Sequence, residues 1–259
     1  MSTPKTAINL YSVRALDESL TDVLDRVAAA GYDGVQFAGP YSPIAAEADP
    51  GAIADALADR DLGATPPHVG FEALRDDRER VLSAYEPFDI DGVVVPWLDP
   101  SRFESTTAVD AAAADLDDLA ADLDAAELAL HYHNHAHEYV PLDGELAFDR
   151  FLARTGVGVE LDVGWALVGG DDPADRIHDL GDRLSQVHMK DITAGGASAP
   201  VAADSDAVEF VDIGRGDVDM RACAEAAAAV DAEWLIYEHD DPTDPTVSID
   251  RGAAFLDAV

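Results

Sequence analysis

The feature that most constrains this chain is an alternation of short β-rich runs with helical stretches, repeated eight times from end to end. Ile8–Tyr11, Gly34–Phe37, Ala64–His68, Gly92–Pro96, Leu128–His133, Val157–Asp162, Leu184–Lys190 and Trp234–Glu238 read as strands. Ser19–Ala30, Gly51–Arg60, Glu72–Tyr85, Val109–Ala126, Phe148–Ala153, Pro173–Leu180, Met220–Val230 and Val247–Leu256 read as helices. Strict alternation dictates a parallel α/β sheet, and eight strands are the number that closes it into a (β/α)8 TIM barrel. An open doubly wound sheet would want a Gly-rich phosphate turn after its first strand, and Tyr11-Ser12-Val13-Arg14 is not one. No linker interrupts the sequence, so residues 1–259 are expected to form a single domain.

Charge then narrows the setting. Asp and Glu number 53 against 16 Lys and Arg, a net charge of −37 at pH 7, while 48% of residues are apolar. The acids are dispersed along helical patterns rather than gathered in a tail. Dispersed acid on a foldable chain with only two lysines, Lys5 and Lys190, predicts adaptation to a high-salt cytoplasm. There the Debye length falls to about 3 Å and self-repulsion is screened. Such a surface also disfavours nucleic acid, whose affinity comes largely from phosphate neutralisation. Cys223 is the only cysteine, which fits a reducing cytoplasm. The first residues lack a signal-peptide pattern, and no apolar run suits a membrane span. The Gly-, Ala- and Ser-rich stretch Thr193–Asp206 reads either as a mobile lid or as a surface insertion.

In a barrel, functional residues occupy the C-terminal strand ends and the loops beyond them. Residues two apart on a strand share a face. His131, His133 and His135 therefore share one face of the fifth strand and its extension, Glu160 and Asp162 one face of the sixth, and Gln186, His188 and Lys190 one face of the seventh. Glu238 ends the eighth. Four consecutive strands thus aim ionisable groups at one mouth, which calls for mutual hydrogen bonding or a shared cation. A mixed imidazole and carboxylate set suits Mn²⁺, Co²⁺, Fe²⁺ or Zn²⁺. Lys190, kept in a chain that avoids lysine, is expected to stabilise a developing oxyanion, with a salt bridge to Asp191 or Glu160 as the alternative.

With these residues in place the chain resembles the sugar phosphate isomerase/epimerase family of xylose-isomerase-like TIM barrels. The resemblance rests on Ile8-Asn-Leu-Tyr-Ser-Val-Arg14, Gly31-Tyr-Asp-Gly-Val-Gln-Phe37, His133-Asn-His-Ala-His-Glu138, Glu160-Leu-Asp-Val-Gly-Trp165, Val187-His-Met-Lys-Asp191 and Ile236-Tyr-Glu-His-Asp240. The His-Asn-His run is similar to one subgroup. Carried over by position, the resemblance implies one divalent metal held by His133, Asp162, His188 and Glu238. Many members have Glu where Gln36 and His133 stand, and His where Trp165 stands. The last two departures weaken a classical two-carboxylate epimerisation.

The expected activity is metal-dependent isomerisation or epimerisation of a sugar, keto-sugar or sugar phosphate, by proton abstraction next to a carbonyl through an enediolate. Glu138, Glu160 and Glu238 compete as base, with Lys190 at the oxyanion. Trp165, Trp97, His68 and His135 are the expected substrate contacts. Three alternatives stay open: a lyase or hydratase on oxidised sugars or glycosides, an AP-endonuclease-like DNA-repair enzyme, and a non-catalytic sugar-binding barrel. The expected partner is a small sugar, with no nucleic acid and no membrane; homo-oligomerisation stays open.

Overall fold

The computed structural model describes residues 3–45, 49–194 and 208–259. Eight parallel strands form one sheet: β1 (Lys5–Asn9), β2 (Gly34–Gln36), β3 (Gly63–Ala64), β4 (Gly92–Val95), β5 (Ala129–His133), β6 (Gly158–Asp162), β7 (Leu184–Met189) and β8 (Trp234–Tyr237). Their spatial order is β3–β2–β1–β8–β7–β6–β5–β4. A bridge between His68 and Val94 joins the two ends, with Val69 N donating to Val94 O (2.8 Å) and Val94 N to Pro67 O (2.9 Å). The protein is a TIM barrel.

The helices are α1 (Leu20–Ala30), α2 (Pro50–Ala58), α3 (Phe71–Asp76), α4 (Arg78–Tyr85), α5 (Thr106–Asp124), α6 (Ala147–Arg154), α7 (Val163–Gly169), α8 (Pro173–Leu180), α9 (Met220–Ala229) and α10 (Pro245–Leu256). In α5, Ser105 accepts from Ala108 N at the N-terminus, and Val109, Ala112, Ala113, Leu116, Leu119 and Leu123 recur at helical spacing to form the buried stripe. Burying each Leu contributes about 1.5–3 kcal/mol. The large apolar core is the annulus between strands and helices, whereas inside the barrel the separate apolar cluster is only Ala7, Trp234 and Ile236. Gly92 and Gly158 leave room there for the ring of His131, which a Cβ at either position would strike.

Several boundaries differ from the sequence expectation for local reasons. β1 ends at Asn9 because its side chain accepts from Tyr11 N (2.8 Å) and turns Leu10–Val13 into a 3₁₀ helix. The third strand is only Gly63–Ala64, because Pro66 and Pro67 carry no N–H for a ladder. The expected helix Glu72–Tyr85 breaks at Asp77 into α3 and α4. α7 was not anticipated; Asp162 caps it through Trp165 N, and Gly170 ends it at φ +95°. Residues 195–206 of the Gly-rich stretch lie outside the described residues, while its flanks pair as Ile192–Thr193 with Glu209–Phe210. Among the described residues no helix is long and apolar enough to cross a membrane.

Candidate metal centre and cavity

β5 to β8 each deliver one residue to the mouth. His133, Asp162, His188 and Glu238 are buried, and one ligand atom from each lies within 4.8 Å of all the others. Both ring nitrogens of His133 and the Oδ2 of Asp162 are buried without a hydrogen-bond partner. Such atoms are costly to leave unpaired, so a cation at this point would complete them. Asp162 is aimed by its surroundings. Its Oδ1 accepts from Trp165 N (2.8 Å), which leaves Oδ2 toward His133. Asn134 clamps its backbone from β5, accepting from Asp162 N (2.9 Å) and donating to Asp162 O (3.2 Å).

One layer deeper, Glu160 is saturated. It accepts from Gln36 Nε2 (2.5 Å), Gln186 Nε2 (2.5 Å) and His68 Nε2 (2.6 Å), with His188 Nε2 at 3.1 Å. Burial would raise this carboxyl, but His188 and His68 outweigh it and hold Glu160 well below the usual range. Burial pushes His68 down, so a neutral ring donates its Nε2 proton. Gln36 is also fully engaged: its oxygen accepts from Asn9 Nδ2 (2.6 Å) and His188 Nε2 (2.7 Å), and its nitrogen also reaches Pro66 O (2.9 Å). His188 is thereby oriented with Nδ1 toward Glu238 (2.9 Å). A second group of candidate ligands, His68, His133, Glu160 and His188, reuses this network. Its Glu160 and His68 already satisfy each other, so the first set fits an ion better. An N/O donor set of this kind suits a divalent transition metal.

Lys190 stands on the ligands themselves. Its ammonium lies 3.2 Å from Asp162 Oδ2, 2.8 Å from Glu238 Oε2 and 3.0 Å from Asp240 Oδ2. Neither of its expected salt-bridge partners is engaged: Asp191 accepts from the backbone N–H of Ile192, Arg215 and Gly216, and Glu160 takes the network above. Burial opposes the charged ammonium, but Asp162, Asp240 and Glu238 outweigh it and hold Lys190 well above the usual lysine range. Burial likewise opposes ionised Glu238, which Lys190 and His188 nevertheless pull well below its usual range.

A cavity of about 520 Å³ opens above this cluster, within the span typical of small-molecule sites. His68, His133, His135, Trp97, Lys190 and Glu238 line it, all of them anticipated from sequence. Trp165 stands behind it, 5.7 Å from the His135 ring and 5.5 Å from Phe210, with Lys190 Nζ 5.2 Å over its face. Glu160 and Glu138 do not line it. Glu138 turns to Tyr132 Oη (2.6 Å) and His135 N (2.6 Å), locking the turn after β5. Burial raises it to about 8, so at neutral pH this carboxyl holds its proton. Sequence reasoning did not single out Asp240, Arg14, Tyr11 or Phe210. Asp240, two residues past Glu238, was visible as one more acid at a strand end. Two further cavities, lined in part by Asp33 and Leu235 and by Lys5 and Trp234, lie at the opposite end of the barrel, where no candidate ligand reaches.

Comparison with known proteins agrees with this architecture. A sugar phosphate isomerase/epimerase from Parabacteroides distasonis superposes with a TM-score of 0.78 at 19% identity, over 100% of this chain and 95% of that one. A probable 3-DHS dehydratase involved in petrobactin synthesis from Bacillus anthracis gives 0.75 at 14% identity, over 98% of each chain. The 3-keto-D-glucoside 4-epimerase of E. coli gives 0.68 at 17% identity, over 99% of this chain and 100% of that one. No curated protein sequence matches the chain. Likeness at these identities speaks to the fold, while the family model for the xylose isomerase-like TIM barrel matches residues 24–259. The chain belongs to the xylose isomerase-like TIM-barrel family.

Proposed function

We propose that this protein is a metal-dependent enzyme of the isomerase/epimerase type, acting on a sugar, keto-sugar or sugar phosphate by proton abstraction next to a carbonyl. The observation that carries this reading is the convergence beneath a cavity of four buried ligand atoms from His133, Asp162, His188 and Glu238, with both ring nitrogens of His133 making no hydrogen bond. His133, Asp162, His188 and Glu238 would hold the ion. When bound, it supplies Lewis acidity that makes a C–H beside a carbonyl easier to ionise.

The chain's own groups divide the remaining work. Of the expected bases, Glu138 is protonated and turned away and Glu160 is saturated, which leaves Glu238. Asp240, the other carboxylate lining the cavity, joins it as a candidate. Lys190 donates to the oxyanion as the enediolate develops. Trp97 and His135 exclude water and present flat faces to a sugar. Epimerisation by two bases needs carboxylates on opposite faces of one carbon. Here Glu238 and Asp240 hold the same ammonium, at 2.8 Å and 3.0 Å, so they favour a single base. One base returning the proton to the neighbouring carbon gives an isomerase. Loss of a β-substituent from the same enediolate gives a lyase, the second reading. The net charge of −37 counts against a DNA substrate.

The test is incubation of Mn²⁺-loaded protein with keto-sugars and sugar phosphates in D₂O, followed by NMR. Carbon-bound deuterium in substrate or product is expected. Absence of both exchange and turnover across the panel would overturn the reading.

A further inference from the structure

Two cations line the cavity, and their situations differ. Lys190 is surrounded by three carboxylates, whereas Arg14 has no carboxylate within 4.0 Å among the described residues. Other arginines, such as Arg80 and Arg221, also have no ion pair among the described residues, but Arg14 alone among them lines the cavity. We infer that Arg14 anchors an anionic group of the substrate, a phosphate ester or a carboxylate, so that the cavity selects charged sugars over neutral ones. The inference rests on the reading of this cavity as the substrate site.

Arg14 is held ready for such a group. It follows the 3₁₀ turn at the C-terminal end of β1, where Asn9 caps the chain and directs it over the mouth. Its guanidinium lies 3.9 Å from the centroid of the Tyr11 ring, and Nη1 donates to Tyr11 O (2.9 Å). That bond uses one N–H of a rigid fork and leaves the others for a ligand. Tyr11 is itself backed by Gly39, at φ +55°, where a Cβ would come within 3.1 Å of the ring. A bare glycine therefore lets the ring lie flat beneath the guanidinium. The fork is stacked and oriented, which lowers the entropy lost when it grips a planar or tetrahedral anion.

The local charge of the cavity suits the same conclusion even though the net charge does not. The molecule as a whole repels anions, so an anionic substrate would need a local cation at the mouth. With a divalent ion held by Asp162 and Glu238, the cavity, counting Lys190, Asp240 and Arg14, becomes net positive. A neutral sugar would offer Arg14 only hydroxyl acceptors, which bind a guanidinium more weakly than an ionised group does.

The experiment measures dissociation constants by calorimetry on Mn²⁺-loaded protein for two matched pairs: D-fructose 6-phosphate against D-fructose, and D-glucuronate against D-glucose. In at least one pair the anionic member should bind about tenfold or more tightly. Arg14→Met should collapse that ratio to about one and leave the neutral member unchanged, while Arg14→Lys restores part of it. Preference in the first pair identifies a phosphate, preference in the second a carboxylate. If Arg14→Met fails to fold, Arg14→Gln, which keeps a polar N–H donor without the charge, carries the same test. No preference in either pair, or a preference that survives removal of the guanidinium, overturns the inference. Deuterium exchange without anion preference defeats the role of Arg14 alone, and anion preference without exchange defeats the proposed reaction alone.

Discussion

Two adjacent layers inside this barrel are built from the same kinds of residue and end in opposite states. In the lower layer Glu160 and Gln36 meet every hydrogen-bonding need with partners from β1, β2, β7 and the β3 loop. In the upper layer both ring nitrogens of His133 make no hydrogen bond, and the Oδ2 of Asp162 has only ion pairs, with Lys190 at 3.2 Å and His133 at 3.5 Å, although both residues are equally buried. A protein interior rarely leaves such atoms bare. The layer completed by the protein itself supports; the layer left open is the one to be completed from outside. Burial and polarity alone do not separate the two. What separates them is unfinished bonding on atoms that could share an ion: Gln186 Oε1 and His131 Nδ1 are also bare, but neither belongs to the set of His133, Asp162, His188 and Glu238.

The largest expected effect is the direct contrast of the layers. Wild-type protein should hold about one divalent ion per chain, and Asp162→Ala or Glu238→Ala should lose it while still folding. Glu160→Ala should instead lose stability, by about 3–5 kcal/mol, since His68 and the two amides are left without their acceptor. It should keep substantial metal. Elemental analysis beside denaturant melts reads both outcomes, and stoichiometric metal in Asp162→Ala would erase the distinction between the layers.

Lys190 belongs to the open layer but brings its own charge. Lys190→Met should keep metal when loaded and lower kcat by about 10²–10³, the usual result of removing one oxyanion donor. KM should move less than kcat. The metal-free variant should also melt earlier than metal-free wild type, because Asp162, Glu238 and Asp240 lose their shared counter-ion. Unchanged turnover in the loaded variant would reduce Lys190 to that structural part.

The third effect appears only as a pH dependence and belongs to the closed kind of site. Glu138 is raised by burial to about 8 in the fold, against 4.5 for the ordinary side chain. A raised carboxyl contributes stability that is complete below about 4.5 and is lost as pH rises through about 8. Over that window the slope approaches about 1.4 kcal/mol per pH unit for one proton. The stability of wild type relative to Glu138→Gln should therefore fall with rising pH and level off above about 8. A difference independent of pH would mean that Glu138 is ionised in the fold after all.

How much of this was legible in advance follows from what each feature depends on. The strand order and the convergence of ionisable groups from β5 to β8 on one mouth need only alternation and parity, which a sequence carries on its face, whereas the choice of His133, Asp162, His188 and Glu238 among them is what the family resemblance implies. The states of Glu160 and Asp162 were not separable, because they share one strand face. What distinguishes them is Gln36, Gln186 and His68 arriving from other strands at a particular height. Glu138 looked like a base from its place after β5, but only the packed hydroxyl of Tyr132 reveals that it faces away. α7 escaped because Val163–Gly169 is Gly-rich and short, and its cap is a residue already assigned to metal. Arg14 escaped because a single arginine in a turn gives no periodic signal.

The smallest expected effect separates the interior from the surface. The net charge of −37 resides mainly on exposed acids, and the ion pairs that offset it, such as Arg26–Glu18 and Arg75–Asp76, are solvent-facing. Screening acts on those charges, since at molar salt the Debye length is about 3 Å, but it does not reach a hydrogen-bonded carboxylate beneath the mouth. Melting temperature should therefore rise from dilute to molar KCl, by about 2–4 °C for each kcal/mol of repulsion relieved. Glu160→Gln should begin lower and rise in parallel, because its defect lies where salt has no access. A flat wild-type curve would remove salt adaptation as the meaning of the acidic surface. A Glu160→Gln curve that converges on wild type at high salt would show that the lower layer is held by long-range charge. Its stability would then not come from the short bonds of Gln36, Gln186 and His68, and the contrast between the two layers would lose its physical basis.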